Sequence, residues 1–225
     1  MSVSMIGWSH LPFGRHEDTV EDMVKTVTQA ALEDAGLEAK DIDIVVVGHF
    51  NGGFQQQDFP SSLPLQADPG LRFTPSTRVE NACATGSAAI HQAMNAINAG
   101  RARRALVVGV EKMTDTPGPE IGDILLKCAY VREEADTPAG FAGVFGQLTH
   151  RYFQRYGDQS DVLAKIAAKN HANGVANPFA QMRKDLGFQF CNTVSDKNPL
   201  VAGPLRRTDC SLVSDGAAAV ILCAN

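Results

Sequence analysis

The hydrophobic positions along this chain change period several times, and each change predicts an element. Residues 5–10, MIGWSH, read as a short strand closed by the loop LPFGRHED. Thr19 then stands as an N-cap with Asp22 three residues on, and Val20, Met23, Val24, Val27, Ala31 and Ala35 recur at helical spacing. Gly36 ends that helix. The run IDIVVVG, residues 42–48, is dominated by β-branched apolar residues and too short for a buried helix, so it predicts a strand covered on both faces. Strand, helix and strand in this order predict an α/β sheet.

A Pro- and Gln-rich connection runs through residue 75. STRVENA, residues 76–82, then predicts a third strand, and ATGSAAIHQAMNAINAG, residues 84–100, a helix ending at Gly100. RALVVGV, residues 104–110, repeats the buried-strand pattern, so residues 1–112 are expected to form a doubly wound layer structure. From EKMTDTPGPEIGD onward Pro, Gly and acidic residues break the period, and only FGQLTHRYFQRYG and DVLAKIAAKNHANG read as helical. SDGAAAVILCAN, residues 214–225, returns to a turn and a buried strand. The expected organisation is an α/β core of residues 1–112 and 208–225 with an inserted subdomain at 113–207.

Composition places the chain among soluble globular proteins, with 44% hydrophobic and 20% charged residues. No apolar run has the roughly 18 to 20 residues that span a bilayer, and the N-terminal residues lack a basic region followed by an apolar core, so no membrane span and a cytoplasmic location are expected. Five cysteines without paired spacing argue against a disulfide framework and a zinc site. The net charge of −5 is uneven. Residues 151–207 carry nine Lys and Arg against four Asp and Glu, while the remainder carries eleven against twenty-one. Scattered basic residues without an interleaved aromatic tract suit a small polyanion better than nucleic acid, or simply form a solvated surface.

Within RVENACATGSAAIH, residues 78–91, Cys83 is surrounded by Ala82, Ala84, Thr85, Gly86, Ser87, Ala88 and Ala89. Such small residues add little hydrophobic burial, so their clustering points to a close approach to this backbone, with Gly86 the barest position. A cysteine between a strand end and the first turn of a helix sits on an elbow, where the unpaired amides and dipole of the helix favour an anion. Two roles stay open on spacing alone, a nucleophile or a buried small apolar residue.

The segment VENACATGSAAIHQAMNAINAGRARRALVVGVEKM resembles the active-cysteine segment of the thiolase superfamily, in particular the acetyl-CoA acetyltransferase-like thiolases linked to sterol carrier protein. PFGR, KNHANGVANP and NPLVAGPLRRTDCSLVSDGAAAV extend the resemblance, in the same order, over essentially the whole chain. The resemblance implies the N-terminal half of a thiolase, a mixed five-stranded sheet between helices with an inserted loop subdomain. It implies Cys83 as the acyl-accepting nucleophile, with its backbone N–H directed to the oxyanion, and coenzyme A thioesters as substrates with no permanently bound cofactor. The implied reaction is Claisen condensation of acyl-CoA with acetyl-CoA, or thiolytic cleavage of a 3-ketoacyl-CoA. Family members carry a second, similar half that supplies an activating histidine, a second cysteine and an oxyanion-hole motif, and no segment here matches those. A homodimer or higher oligomer, or a partner chain supplying the C-terminal half, is therefore expected.

His91 lies eight residues along the helix from Cys83, about 12 Å, too far for direct proton transfer. The resemblance places His171 near the acyl pocket, and Arg183, Lys184, Arg206 and Arg207 are the candidates for the phosphates of coenzyme A. Cys128, Cys191, Cys210 and Cys223 lack an elbow and read as packing residues, and the remaining histidines suggest no metal cluster. Two alternatives remain: a non-catalytic acyl-CoA-binding subunit of a heteromeric complex, and a β-ketoacyl synthase, whose active segment also reads A-C-A. The GVEKM and SDGAAAV segments flanking the insert disfavour the synthase.

Overall fold

A computed structural model describes residues 2–225. In chain order the strands and helices are β1 (Val3–His10), α1 (Val20–Ala35), β2 (Ile44–Gly48), β3 (Ser76–Val79), α2 (Thr85–Asn98) and β4 (Arg104–Glu111). They continue as α3 (Gly118–Leu126), α4 (Val131–Glu134), α5 (Gly140–Tyr156), α6 (Ser160–Ala176), α7 (Gly187–Asn192), β5 (Leu200–Ala202), β6 (Leu205–Arg206) and β7 (Gly216–Ala224). Two compact units result, one formed by residues up to Asp115 together with Ser214–Asn225, the other by Thr116–Val213.

The first unit is an α/β layer structure whose five-stranded sheet has the order β1-β7-β4-β2-β3. β2 pairs in parallel with both β3 and β4, whereas β7 is antiparallel to its neighbours β4 and β1. Four strands therefore run one way, and their carboxyl ends share one edge with the start of β7. The sheet is mixed, and β1 and β2 are separated by β7 and β4, so the sequential strands around α1 are not neighbours. Val45, Val46 and Val47 are wholly buried because β2 is covered on both faces.

One face of the sheet packs on α1. Thr19 accepts from the Asp22 amide while the Asp22 carboxylate reaches back to Thr19, a complete capping box, and Gly36 closes the helix in the left-handed region at φ 62°. Met23, Val24, Val27, Ala31 and Leu32 meet Val45, Val47, Leu106, Val108, Ala219 and Ile221 in this layer. The other face packs on α2 through Ala89, Ala93 and Ile97, which meet Val46, Ala105, Val107 and Leu222. This second layer is incomplete. On β1, Met5 and Trp8 are in register with Leu222 and Val220 on the α2 face, yet they are 56% and 52% exposed.

The second unit is mainly helical, with β5 and β6 as a small hairpin. Here the expectation of two helical segments falls short, since α3, α4 and α7 are also helical. The reason for α3 is positional: its prolines lie at the N-cap and first turn, where the missing amide proton breaks no intrahelical bond. The third strand is likewise shorter than expected, ending at Val79, because Asn81 and Ala82 turn the chain. No helix among the described residues is long and apolar enough to cross a membrane.

Candidate functional site

Cys83 lies where the chain passes from the carboxyl end of β3 into α2. Ala82 adopts φ 46°, a left-handed conformation that costs a residue with a Cβ about 1 to 2 kcal/mol. Side-chain bonds offset that strain. Thr85 Oγ1 accepts the Asn81 amide at 2.8 Å and donates to the Ala82 carbonyl at 2.6 Å, and the Glu80 carboxylate accepts the Ala82 amide. The resulting 3-10 turn, Ala82–Ala84, leads directly into α2 and presents Cys83 exposed to solvent. No side chain caps α2 and no acidic residue stands in its first turn, so the positive end of the helix is not neutralised there.

The small-residue run divides into two faces. Thr85 and Ala89 face the sheet at Gly48, where an added Cβ would come within 3.1 Å of the Thr85 methyl and 3.2 Å of its carbonyl oxygen. Tight helix-to-sheet packing therefore accounts for that face. Gly86 faces the other way, and a Cβ there would meet no atom within 4 Å beyond its chain neighbours and its own helix backbone. Its lack of a side chain serves no contact inside the first unit.

The same edge of the sheet gathers residues that the linear pattern did not join. His49 follows β2, Glu111 ends β4 and Arg78 lies on β3. His49 is 1% exposed, and its Nε2 lies 3.6 Å from Glu111 Oε2. Desolvation, with the nearby Arg78 charge, holds the imidazole down to about 4. Desolvation lifts the Glu111 carboxyl to about 7 against the Phe50 and Asn51 amides that donate to it. Arg78 donates to the His49 and Phe50 carbonyls at 2.9 and 2.8 Å and to Asp58 at 3.1 Å. Together these bonds set one wall of a polar depression of about 680 Å³ lined by Asn51, Gln55, Asp58, Arg78 and Glu80.

Asp215, wholly buried at the start of β7, ties three segments at this edge. It accepts the amides of Met113 at 2.7 Å, Thr114 at 2.9 Å and His16 at 3.1 Å, and the Thr114 hydroxyl at 2.7 Å. Burial alone would raise its pKa, but the Thr114, His16 and Met113 donors prevail and hold it at about 2. Lys112, also buried, stands 3.4 Å from Asp215 and donates to the His16 carbonyl at 2.6 Å.

The residues expected to contact substrate lie in the second unit. His171 is half-buried on α6, and Arg183, Lys184 and Arg207 are exposed. Arg183 donates to the Val175 carbonyl at 3.3 and 3.2 Å. Arg206 departs from its expected role. It is 3% exposed and its guanidinium is spent internally, on Asp209 at 3.1 Å, Asn192 at 3.0 Å and the Ser160 carbonyl. A buried cation paired in this way braces its unit and offers no free face to a phosphate. Among the other cysteines Cys191 is buried, while Cys128, Cys210 and Cys223 are half-buried. His91 is exposed on α2. No group of three metal-ligating side chains occurs among the described residues.

The family model for the thiolase N-terminal domain matches residues 3–225. The chain belongs to the thiolase family. An acetyl-CoA acetyltransferase of Methanothermobacter thermautotrophicus is 37% identical over 225 residues, covering 98% of this chain and 56% of that protein. Sterol carrier protein 2 of Bos taurus is 28% identical, covering 89% of this chain and 37% of its own length. The fold is also that of the Acat5 thiolase of Ascaris suum, solved in complex with coenzyme A, at a TM-score of 0.72 and 18% identity over all of this chain and 66% of that one. This thiolase-family chain thus spans little more than half the length of the acetyltransferase it matches.

Proposed function

We propose that Cys83 is the nucleophile of thiolase-type acyl transfer. The observation that carries this reading is the placement of an exposed thiol on the strained turn Ala82–Ala84, at the uncapped N-terminus of α2. The Cys83 thiolate attacks the carbonyl carbon of a coenzyme A thioester, a new carbon–sulfur bond forms, and coenzyme A leaves as its thiolate. The oxyanion that develops is met by the Cys83 backbone N–H. The α-carbon of a second thioester, its α-proton removed by the second cysteine of the other half, then attacks the acyl carbon and expels the Cys83 thiolate, or coenzyme A does so in the thiolytic direction, so the reaction divides into two half-steps.

The activating histidine, the second cysteine and the remaining oxyanion donors are assigned to a C-terminal half, carried by a longer chain or a partner. It covers the face of α2 that bears Gly86, together with Met5 and Trp8 of β1. The match to a thiolase N-terminal domain and the 56% share of the acetyltransferase that this chain covers support this assignment. Arg183, Lys184 and Arg207 are the groups proposed for the phosphates of coenzyme A, with His171 for the acyl portion. Incubation with acetyl-CoA in the presence of that C-terminal half tests the reading: Cys83 becomes acetylated and coenzyme A is released, and Gly86→Val suppresses both while its circular dichroism stays unchanged. Coenzyme A thioester binding without any acetylation would instead favour a non-catalytic binding subunit.

A further inference from the structure

His49 and Glu111 sit at adjacent carboxyl ends of β2 and β4, and no step of acyl transfer described above uses them. Neither ring nitrogen of the buried His49 has a hydrogen-bond partner. A buried polar group left unpaired is costly, and the Glu111 carboxyl stands 3.6 Å from its Nε2. The Phe50 and Asn51 amides hold that carboxyl in place. The other charges facing the pair are Arg78 on β3, Glu80 just beyond it and Asp58 across the depression. Lys112, next in the chain, is directed to Asp115, Asp215 and the His16 carbonyl. With His49 held at about 4 and Glu111 at about 7, the imidazole is uncharged near neutrality and the carboxyl is the group that changes charge.

We propose that His49 stays neutral and exchanges its tautomer as Glu111 gains or loses its proton. When the carboxyl is protonated, Oε2–H donates to Nε2 and the ring hydrogen resides on Nδ1. When that proton leaves for water, the ring hydrogen relocates from Nδ1 to Nε2 and donates to the carboxylate, so each cycle releases or takes up one proton. Both states satisfy Nε2, the atom nearest Glu111. The charged state is the stronger acceptor for the Asn51 amide, which shares Oε2. Glu111 is therefore a positioning residue for Phe50 and Asn51, which with Gln55, Asp58, Arg78 and Glu80 line the depression. Glu80 also holds the Ala82 amide, one residue from Cys83. The tautomer exchange stands on its own geometry, and only its effect on Cys83 rests on the acyl-transfer reading.

Nitrogen-15 resonance of the ring nitrogens in the full chain tests this. From about pH 5 to about pH 9 the Nε2 signal is expected to move from the unprotonated to the protonated position, and Nδ1 the opposite way, with one midpoint near 7. In Glu111→Gln, whose amide donates to Nε2 at every pH, the tautomer stays fixed with the hydrogen on Nδ1. A wild-type ring that keeps one tautomer throughout, or that becomes doubly protonated at about its ordinary value of 6.5, overturns the proposal, and this wild-type titration decides even where the variant does not fold. Acetylation of Cys83, read on the same samples, separates failure of this pair from failure of the acyl-transfer reading.

Discussion

Helices α1 and α2 cover opposite faces of one sheet, and they are built by different rules. α1 is complete in itself: a capping box starts it, a left-handed glycine ends it, and large side chains such as Met23 and Val27 fill the layer beneath. α2 has no side-chain cap, buries mainly alanines and is preceded by a residue held at φ 46°. Neither a side-chain cap nor an acidic first turn stabilises α2 at the end where Cys83 stands. The α1 layer therefore carries the larger buried side chains of the first unit, while the strain at the α2 end is held by a few identifiable bonds.

The largest expected effect falls at the anchor serving both regions. Asp215→Asn removes the charge facing Lys112 and weakens the bonds to His16, which leads toward α1, and to Met113 and Thr114 beyond β4, for a loss of about 3 kcal/mol in urea denaturation. The pH dependence has a definite sign. Because the folded-state pKa of Asp215 is depressed, its contribution is present above the ordinary carboxylate value of 3.8 and fades as pH falls through about 2. The variant's acid unfolding should lack that component.

Next in size, Thr85→Val deletes both the acceptor for the Asn81 amide and the donor to Ala82, at a cost of about 1 to 2 kcal/mol. It should also slow thioester labelling of Cys83, because the turn that presents the thiol loses its brace. Thr19→Ala removes the capping box of α1 for about 1 kcal/mol and should leave Cys83 labelling unchanged. Equal effects of the two threonine changes on labelling would erase the distinction between the helices.

What was legible in the sequence follows the same division. α1 could be read from Thr19, Asp22 and Gly36 because each acts on its immediate neighbours, and β2, β4 and β7 from continuous apolar runs. The elbow at Cys83 was legible from its small neighbours, but its Thr85 brace and the left-handed Ala82 depend on side-chain geometry that spacing does not encode. His49 and Glu111 were invisible as a pair because strand order, not sequence distance, brings β2 beside β4. Signals existed, since each residue terminates an apolar strand, and parallel strands in register place such ends together. Arg206 shows the opposite error. Its charge suggested a phosphate contact, whereas Asp209 and Asn192 reveal a buried brace. α3 is hidden in the sequence because its prolines look like breakers, and only their position at the N-cap and first turn makes them compatible with a helix.

The most direct test of Cys83 as the nucleophile is peptide mapping after brief exposure to acetyl-CoA at neutral pH with the C-terminal half present. The acetyl group is expected on Cys83, the one exposed cysteine of the five, ahead of the half-buried Cys128, Cys210 and Cys223 and the buried Cys191. Acetylation spread evenly over the five cysteines, or concentrated on any other, would contradict it.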